Sequence, residues 1–240
     1  QLLISNYLNG ENTNNIFERF ENINSKILVQ FKNIFIDKNS KLTNLIGEIL
    51  LKKNDVISAE IRSKINNKND FSLSIKTNSR DEKVTNLFIE EPEPFIKNYK
   101  FIKGFSEGKL SYGSIEKNNE TKANLKIFDF KVQDVPVLAK LLTLASLQGI
   151  ADILTGEGIR FNEFEMNYES NQSLTNINEM YAIGPAISIL MEGYIDRNKL
   201  TSLRGTLVPA TTINKTISKI PLIGDILVGK KVGEGVFGVS

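Results

Sequence analysis

A repeated alternation of apolar and polar residues, with a period of two, constrains this chain more than any other feature. Ile27, Val29 and Phe31 alternate with Lys26, Leu28, Gln30 and Lys32. Ile57, Ala59, Ile61 and Ile65 alternate with Ser58, Glu60, Arg62 and Lys64, and Phe71, Leu73 and Ile75 with Ser72, Ser74 and Lys76. Phe128, Phe130 and Val132 flank Asp129 and Lys131, and Ile187, Ile189 and Met191 flank Ser188. Successive side chains of a strand point to opposite faces, so each run predicts a strand with one apolar and one wet face. Short polar breaks such as Asn66-Asn67-Lys68-Asn69-Asp70 and Asn118-Asn119-Glu120 join the runs. Breaks of that length favour hairpins, and hence an antiparallel meander.

Two stretches depart from this period. Ile16, Phe17, Phe20 and Ile23 have helical spacing. The second stretch predicts one long helix over residues 136–154, with Asp134 as cap, Pro136 in the first turn and Gly156 and Gly158 beyond its end. From Val137 onward it would span about 27 Å. Lys140 and Asp152 interrupt it, and each charge near a bilayer centre costs about 3 kcal/mol. A helix packed across a sheet therefore fits better than a transmembrane span. After it, Phe161 is out of phase with Phe164, Met166 and Tyr168, which predicts a β-bulge at Asn162-Glu163.

Composition removes whole classes of chemistry. The chain has no Cys and no His, so disulfides, thiolate or imidazole metal sites and Ser-His-Asp or Cys-His pairs are excluded. Thirty basic against 28 acidic residues leave a net charge of +2, too weak a field to argue for nucleic acid. Gly224 to Lys230 fits a phosphate-cradling loop, but Lys231 stands where a magnesium-binding hydroxyl belongs. Gly233-Glu234-Gly235-Val236-Phe237-Gly238 fits a kinase glycine loop with nothing of a kinase after it. Glu90-Glu91-Pro92-Glu93 lacks the spacing and central glycine of a calcium loop and reads as a proline-stiffened turn. No metal, cofactor or catalytic residue is expected. The start at Gln1 and the stop at Ser240 read as those of an excerpt from a longer chain.

The second half carries a family resemblance. Asp134 to Leu142 runs through Ser146-Leu147-Gln148-Gly149-Ile150 to Gly156-Glu157-Gly158-Ile159-Arg160-Phe161. Gly193-Tyr194-Ile195-Asp196, Leu203-Arg204-Gly205-Thr206-Leu207-Val208-Pro209-Ala210, Ile220-Pro221-Leu222-Ile223-Gly224 and Gly233-Glu234-Gly235-Val236-Phe237 follow. This order and spacing, over residues 128–237, resembles the C-terminal region of AsmA-like bacterial envelope proteins, in the YhdP-type branch.

The resemblance implies a mainly β fold: an extended, twisted antiparallel sheet curled into an open trough, with residues 1–240 as one elongated module. It further implies the periplasmic portion of a Gram-negative protein anchored in the inner membrane by a segment outside this chain. The implied function is non-catalytic: binding or conducting phospholipid acyl chains between the inner and outer membranes. A structural or assembly role in outer-membrane biogenesis, acting through sheet edges and outer-membrane components, is the alternative. On the first reading Ile57, Ala59, Ile61, Phe71, Leu73, Ile75, Phe128, Phe130 and Val132 line the apolar groove. Leu138, Leu141, Leu142 and Ala145 face it from the helix.

Overall fold

Asparagine-rich breaks turn this chain back on itself, because Asn tolerates the left-handed backbone that tight hairpins need. Asn66 and Asn67 have φ of 49° and 64°, and the turn is closed by the Lys68 N–H donating to the Ile65 carbonyl at 2.9 Å. Asn118 and Asn119, at 51° and 64°, make the two-residue connection of another hairpin.

The computed structural model describes residues 24–53, 55–97, 104–133, 135, 138–140, 142, 156–196, 200–209 and 238–239. Eleven long strands follow one another: β1 (Ser25–Phe35), β2 (Lys41–Lys52), β3 (Asp55–Ile65), β4 (Asn69–Thr77), β5 (Lys83–Ile89), β6 (Ser106–Lys117), β7 (Glu120–Val132), β8 (Ile159–Ser170), β9 (Leu174–Ile183), β10 (Ile187–Asp196) and β11 (Thr201–Pro209). The two-residue β12 (Gly238–Val239) pairs antiparallel with β11. Strand order in the sheet is chain order, β1 and β12 lie at opposite edges, and the sheet is not closed. The mainly β, antiparallel fold expected from the sequence is what forms.

The chain divides into two compact units: residues 1–98 with 107–123, and residues 99–106 with 124–240. In the first unit, opposed residues fall into cross-strand rows on one face. Val29, Gly47, Ile61, Leu73, Leu87 and Tyr112 form one row through β1 to β6. The core of this unit gathers at one end of that face, where Ile36, Leu42, Leu45, Ile65 and Ile89 are buried. A short helix, α1 (Glu93–Ile96), brings Phe95 against this cluster, and its ring stacks on Phe71 at 5.8 Å. In the second unit, Phe105, Phe130 and Phe161 stack in sequence at 5.6 and 5.5 Å, and all three are buried.

Two expectations are corrected. One long helix is not borne out: among the described residues, besides α1, only Leu138, Ala139, Lys140 and Leu142 are helical. The Ala139 N–H donates to the Val135 carbonyl at 2.9 Å. Capping residues mark where a helix can start and must stop, and they do not set its length. The rest of residues 136–154, like the expected N-terminal helix and the glycine motifs of 224–237, lies outside the described residues.

The bulge expected at Asn162-Glu163 is corrected only on the β9 side of β8 and from Glu163 onward. Glu163 pairs regularly with Ile183, and the register shifts between Asn167 and Tyr168. Asn167 faces Glu179 and Tyr168 faces Ile177, so the extra residue is Asn178 in β9. The same residue explains the shift between Met191 and Gly193 on the β10 side.

Ile65 is 0% exposed, whereas Leu28 on β1 is 73% exposed. Ile65→Ala should cost about 2–5 kcal/mol through the lost burial and the cavity left behind. Leu28→Ala should stay within about 0.5 kcal/mol. Urea denaturation of the two variants against the parent checks this.

Candidate functional site

Alternation brings apolar side chains to one face only where neighbouring strands keep a common register. In the first unit, β3 and β4 do so. Ala59 opposes Ile75, Ile61 opposes Leu73 and Ser63 opposes Phe71. Five of the residues expected to line a groove (Ala59, Ile61, Phe71, Leu73 and Ile75) are therefore on one face. Ile57 sits where β2 and β3 shift register, between the pairs Leu50–Ser58 and Leu51–Val56, and is half-buried.

Partners outside the expected groove lining extend this face. Ile27 and Ile49 oppose one another on β1 and β2, and Leu87 and Ile89 of β5 oppose Tyr112 and Leu110 of β6. The β5 run is only seven residues, and serines separate the apolar residues of β6. A single-strand pattern is weak there, and only the register gives it away.

Burial along this face is graded. Its residues are buried at the end where Phe95 packs, and again at Ala59, and half-buried at Ile27, Ile49, Ile61, Leu73 and Ile75. The opposite face is wet. Lys26 pairs with Glu48 at 2.8 Å and Lys76 with Glu60 at 2.7 Å, and Ser74 donates to Glu60 at 3.0 Å. These donors hold the Glu60 carboxyl below its ordinary range. Such exposed pairs contribute little stability. Their value is to mark which side of the sheet stays in water.

In the second unit, the rows Phe164–Ala182–Ile189–Leu207 and Met166–Met180–Met191–Gly205 share one face of β8 to β11. All three methionines of the chain stand in one row. On β7 the expected alternation is interrupted. Asp129 has φ of 51°, and Phe128 is 37% exposed while Ile127, Phe130 and Val132 are buried. Phe130 and Val132 are thus interior, and Phe128 is not packed with them. Leu138 is half-buried and Leu142 is fully buried, whereas Leu141 and Ala145 lie outside the described residues.

The wet face of this unit holds a self-satisfied polar cluster. Glu165 accepts from Asn124 at 2.5 Å and from the Tyr181 hydroxyl at 2.6 Å, and pairs with Lys126 at 2.9 Å. The single Tyr181 proton is shared with Glu163, the farther acceptor at 3.1 Å, and Asn124 donates to Asn167 at 2.7 Å. Burial pushes the Glu165 carboxyl up, but bonds from Tyr181, Lys126 and Asn124 outweigh it and leave it below its ordinary range. Burial and the facing Glu165 and Glu163 carboxylates raise the Tyr181 phenol.

Among the described residues no group of His, Cys, Asp and Glu could hold a metal ion, and no helix is long and apolar enough to cross a membrane. No family model, curated protein or solved structure matches the chain.

A depressed carboxylate adds stability above its unfolded pKa, about 4.3 for Glu, and loses it as pH falls through the folded value. Tyr181→Phe removes the strongest donor to Glu165. The Glu165 pKa should then rise toward its ordinary value, and acid unfolding should begin at higher pH. Carbon-detected NMR titration of the side-chain carboxyl, beside an acid denaturation curve, measures both.

Proposed function

We propose that this chain is a non-catalytic lipid-binding or lipid-conducting module, serving phospholipid transport between the inner and outer membranes as the periplasmic portion of an inner-membrane-anchored protein. The observation that carries this reading is the apolar face of β1 to β6, on which Ile27, Ile49, Ile61, Leu73 and Ile75 are half-buried around a buried Ala59, backed by a wet face. The likeness of residues 128–237 to AsmA-like proteins supplies the envelope setting.

The energetics suit the role. Two acyl chains crossing water expose about thirty methylenes, and at about 0.8 kcal/mol each the barrier is about 24 kcal/mol. A continuous apolar face lowers that barrier through area alone, so the task needs no specific polar contact. It also needs no reacting group.

A second reading, an assembly factor acting through sheet edges, has one observation in its favour. β1 stands at an edge with Leu28 and Phe31 exposed, and among the described residues it pairs only with β2. Edge strands accept added strands through their unpaired backbone groups.

Organic extraction of the purified protein followed by mass spectrometry tests the first reading. Phospholipid should co-purify with the parent. Ile61→Gln combined with Leu73→Gln should lower its amount several-fold at unchanged circular dichroism, and Leu28→Gln on the wet face should not. A parent protein that carries no phospholipid and binds no fluorescent lipid would overturn the proposal.

A further inference from the structure

The wet face of the second unit carries two polar clusters, one bonded throughout and one bonded only at its Glu192–Arg204 pair. The cluster around Glu165 satisfies itself and acts as a clamp across β7, β8 and β9. The other lines a depression of ≈ 500 Å³ on β9 to β11, formed by Asn176, Asn178, Glu192, Tyr194, Ser202 and Arg204 around Ile177 and Gly193. That volume is typical of small-molecule clefts, which run from about 300 to 1,000 Å³.

Register explains how these residues meet. Tyr194 stands between Asn176 on β9 and Ser202 on β11, and Glu192 stands beside Arg204 in the next row. The bulge adds one residue to β9, Asn178, and that residue also lines the depression.

The chemistry of the lining selects a ligand class. Arg204 donates through Nε and Nη2 to the same Glu192 oxygen, at 2.7 and 2.5 Å. The one cation is thereby matched by the one carboxylate, and no net charge is left to attract an anion. The side chains of Asn176, Asn178, Tyr194 and Ser202 are exposed and have no protein hydrogen-bond partner among the described residues, so they are free to exchange water for a ligand. Two amides, a phenol and a hydroxyl supply donors and acceptors together. The Tyr194 ring, 40% exposed, offers an apolar plate between them.

We infer that this depression binds a neutral saccharide, with the C–H face of a pyranose on the Tyr194 ring. Its hydroxyls, each both donor and acceptor, meet Asn176, Asn178 and Ser202. The Glu192–Arg204 pair borders the ring. The site lies on the face opposite the Met166–Met180–Met191 row, so it does not rest on the lipid reading.

Titration of the purified protein with a panel of neutral oligosaccharides, followed by amide NMR shifts and calorimetry, tests it. At least one should bind with a Kd of about 10 mM or tighter. Tyr194→Ala should weaken that binding about tenfold or more, as loss of a central aromatic contact does. Tyr194→Phe should keep most of it, and Asn178→Ala should weaken it several-fold. Vesicles bearing a neutral glycolipid, compared with the soluble sugar, tell a lipid headgroup from a free glycan. No binding across the panel, or binding unchanged by Tyr194→Ala with the fold intact, would overturn the inference. So would binding restricted to anionic sugars and abolished by salt.

Discussion

Cross-strand register is the constraint on which the rest of this protein depends. Backbone hydrogen bonds would pair these strands almost as well one residue out of step, but every side chain would then change faces. In β2 to β4 such a slip would carry Glu48, Glu60, Arg62 and Lys76 to the apolar side and put Ile49, Ala59, Ile61 and Ile75 in water. At the buried end, where Lys64 would take the place of Ile65, a buried charge costs several kcal/mol, while each ion pair now on the wet face contributes about 1 kcal/mol at most. The penalty for the wrong register, more than any reward for the right one, selects the face.

Once the face is selected, covering it becomes the question. In the first unit α1 and the segment around Ile36 close one end, where Ile65 is fully buried and Phe95 stacks on Phe71. Farther along, the same rows are only half-buried. An ordinary two-layer domain places a second layer of side chains there. Among the described residues the remainder of that face is only partly covered, and on the proposed reading an elongated apolar guest would supply the missing layer.

Much of the sheet was legible in the sequence because period two survives wherever strands are long and regular. The Ala59–Ile61 and Leu73–Ile75 runs were read correctly as one face, since nothing interrupts β3 opposite β4. Where single residues break phase, the pattern misleads. Asn44, with φ of 52°, takes up a register shift between β2 and β3. Asp129, with φ of 51°, separates exposed Phe128 from buried Phe130. Asn and Asp adopt that backbone more easily than most residues, yet they are common in ordinary turns, so neither announces a bulge. The depression around Tyr194 was illegible for a related reason. It depends on Asn178, an extra residue whose effect exists only after β8, β9 and β10 have paired. One long helix over residues 136–154 is not borne out, and most of that stretch lies outside the described residues.

On the proposed reading, one face of the sheet in the first unit contacts lipid. Placing a photoreactive amino acid at position 73 and, separately, at position 28 tests it most directly, since Leu73 belongs to the half-buried apolar row and Leu28 projects 73% exposed on β1. Irradiation in cells followed by mass spectrometry should yield phospholipid adducts at position 73 and none above background at position 28. Adducts that are absent at position 73, or equal at the two positions, would contradict the account.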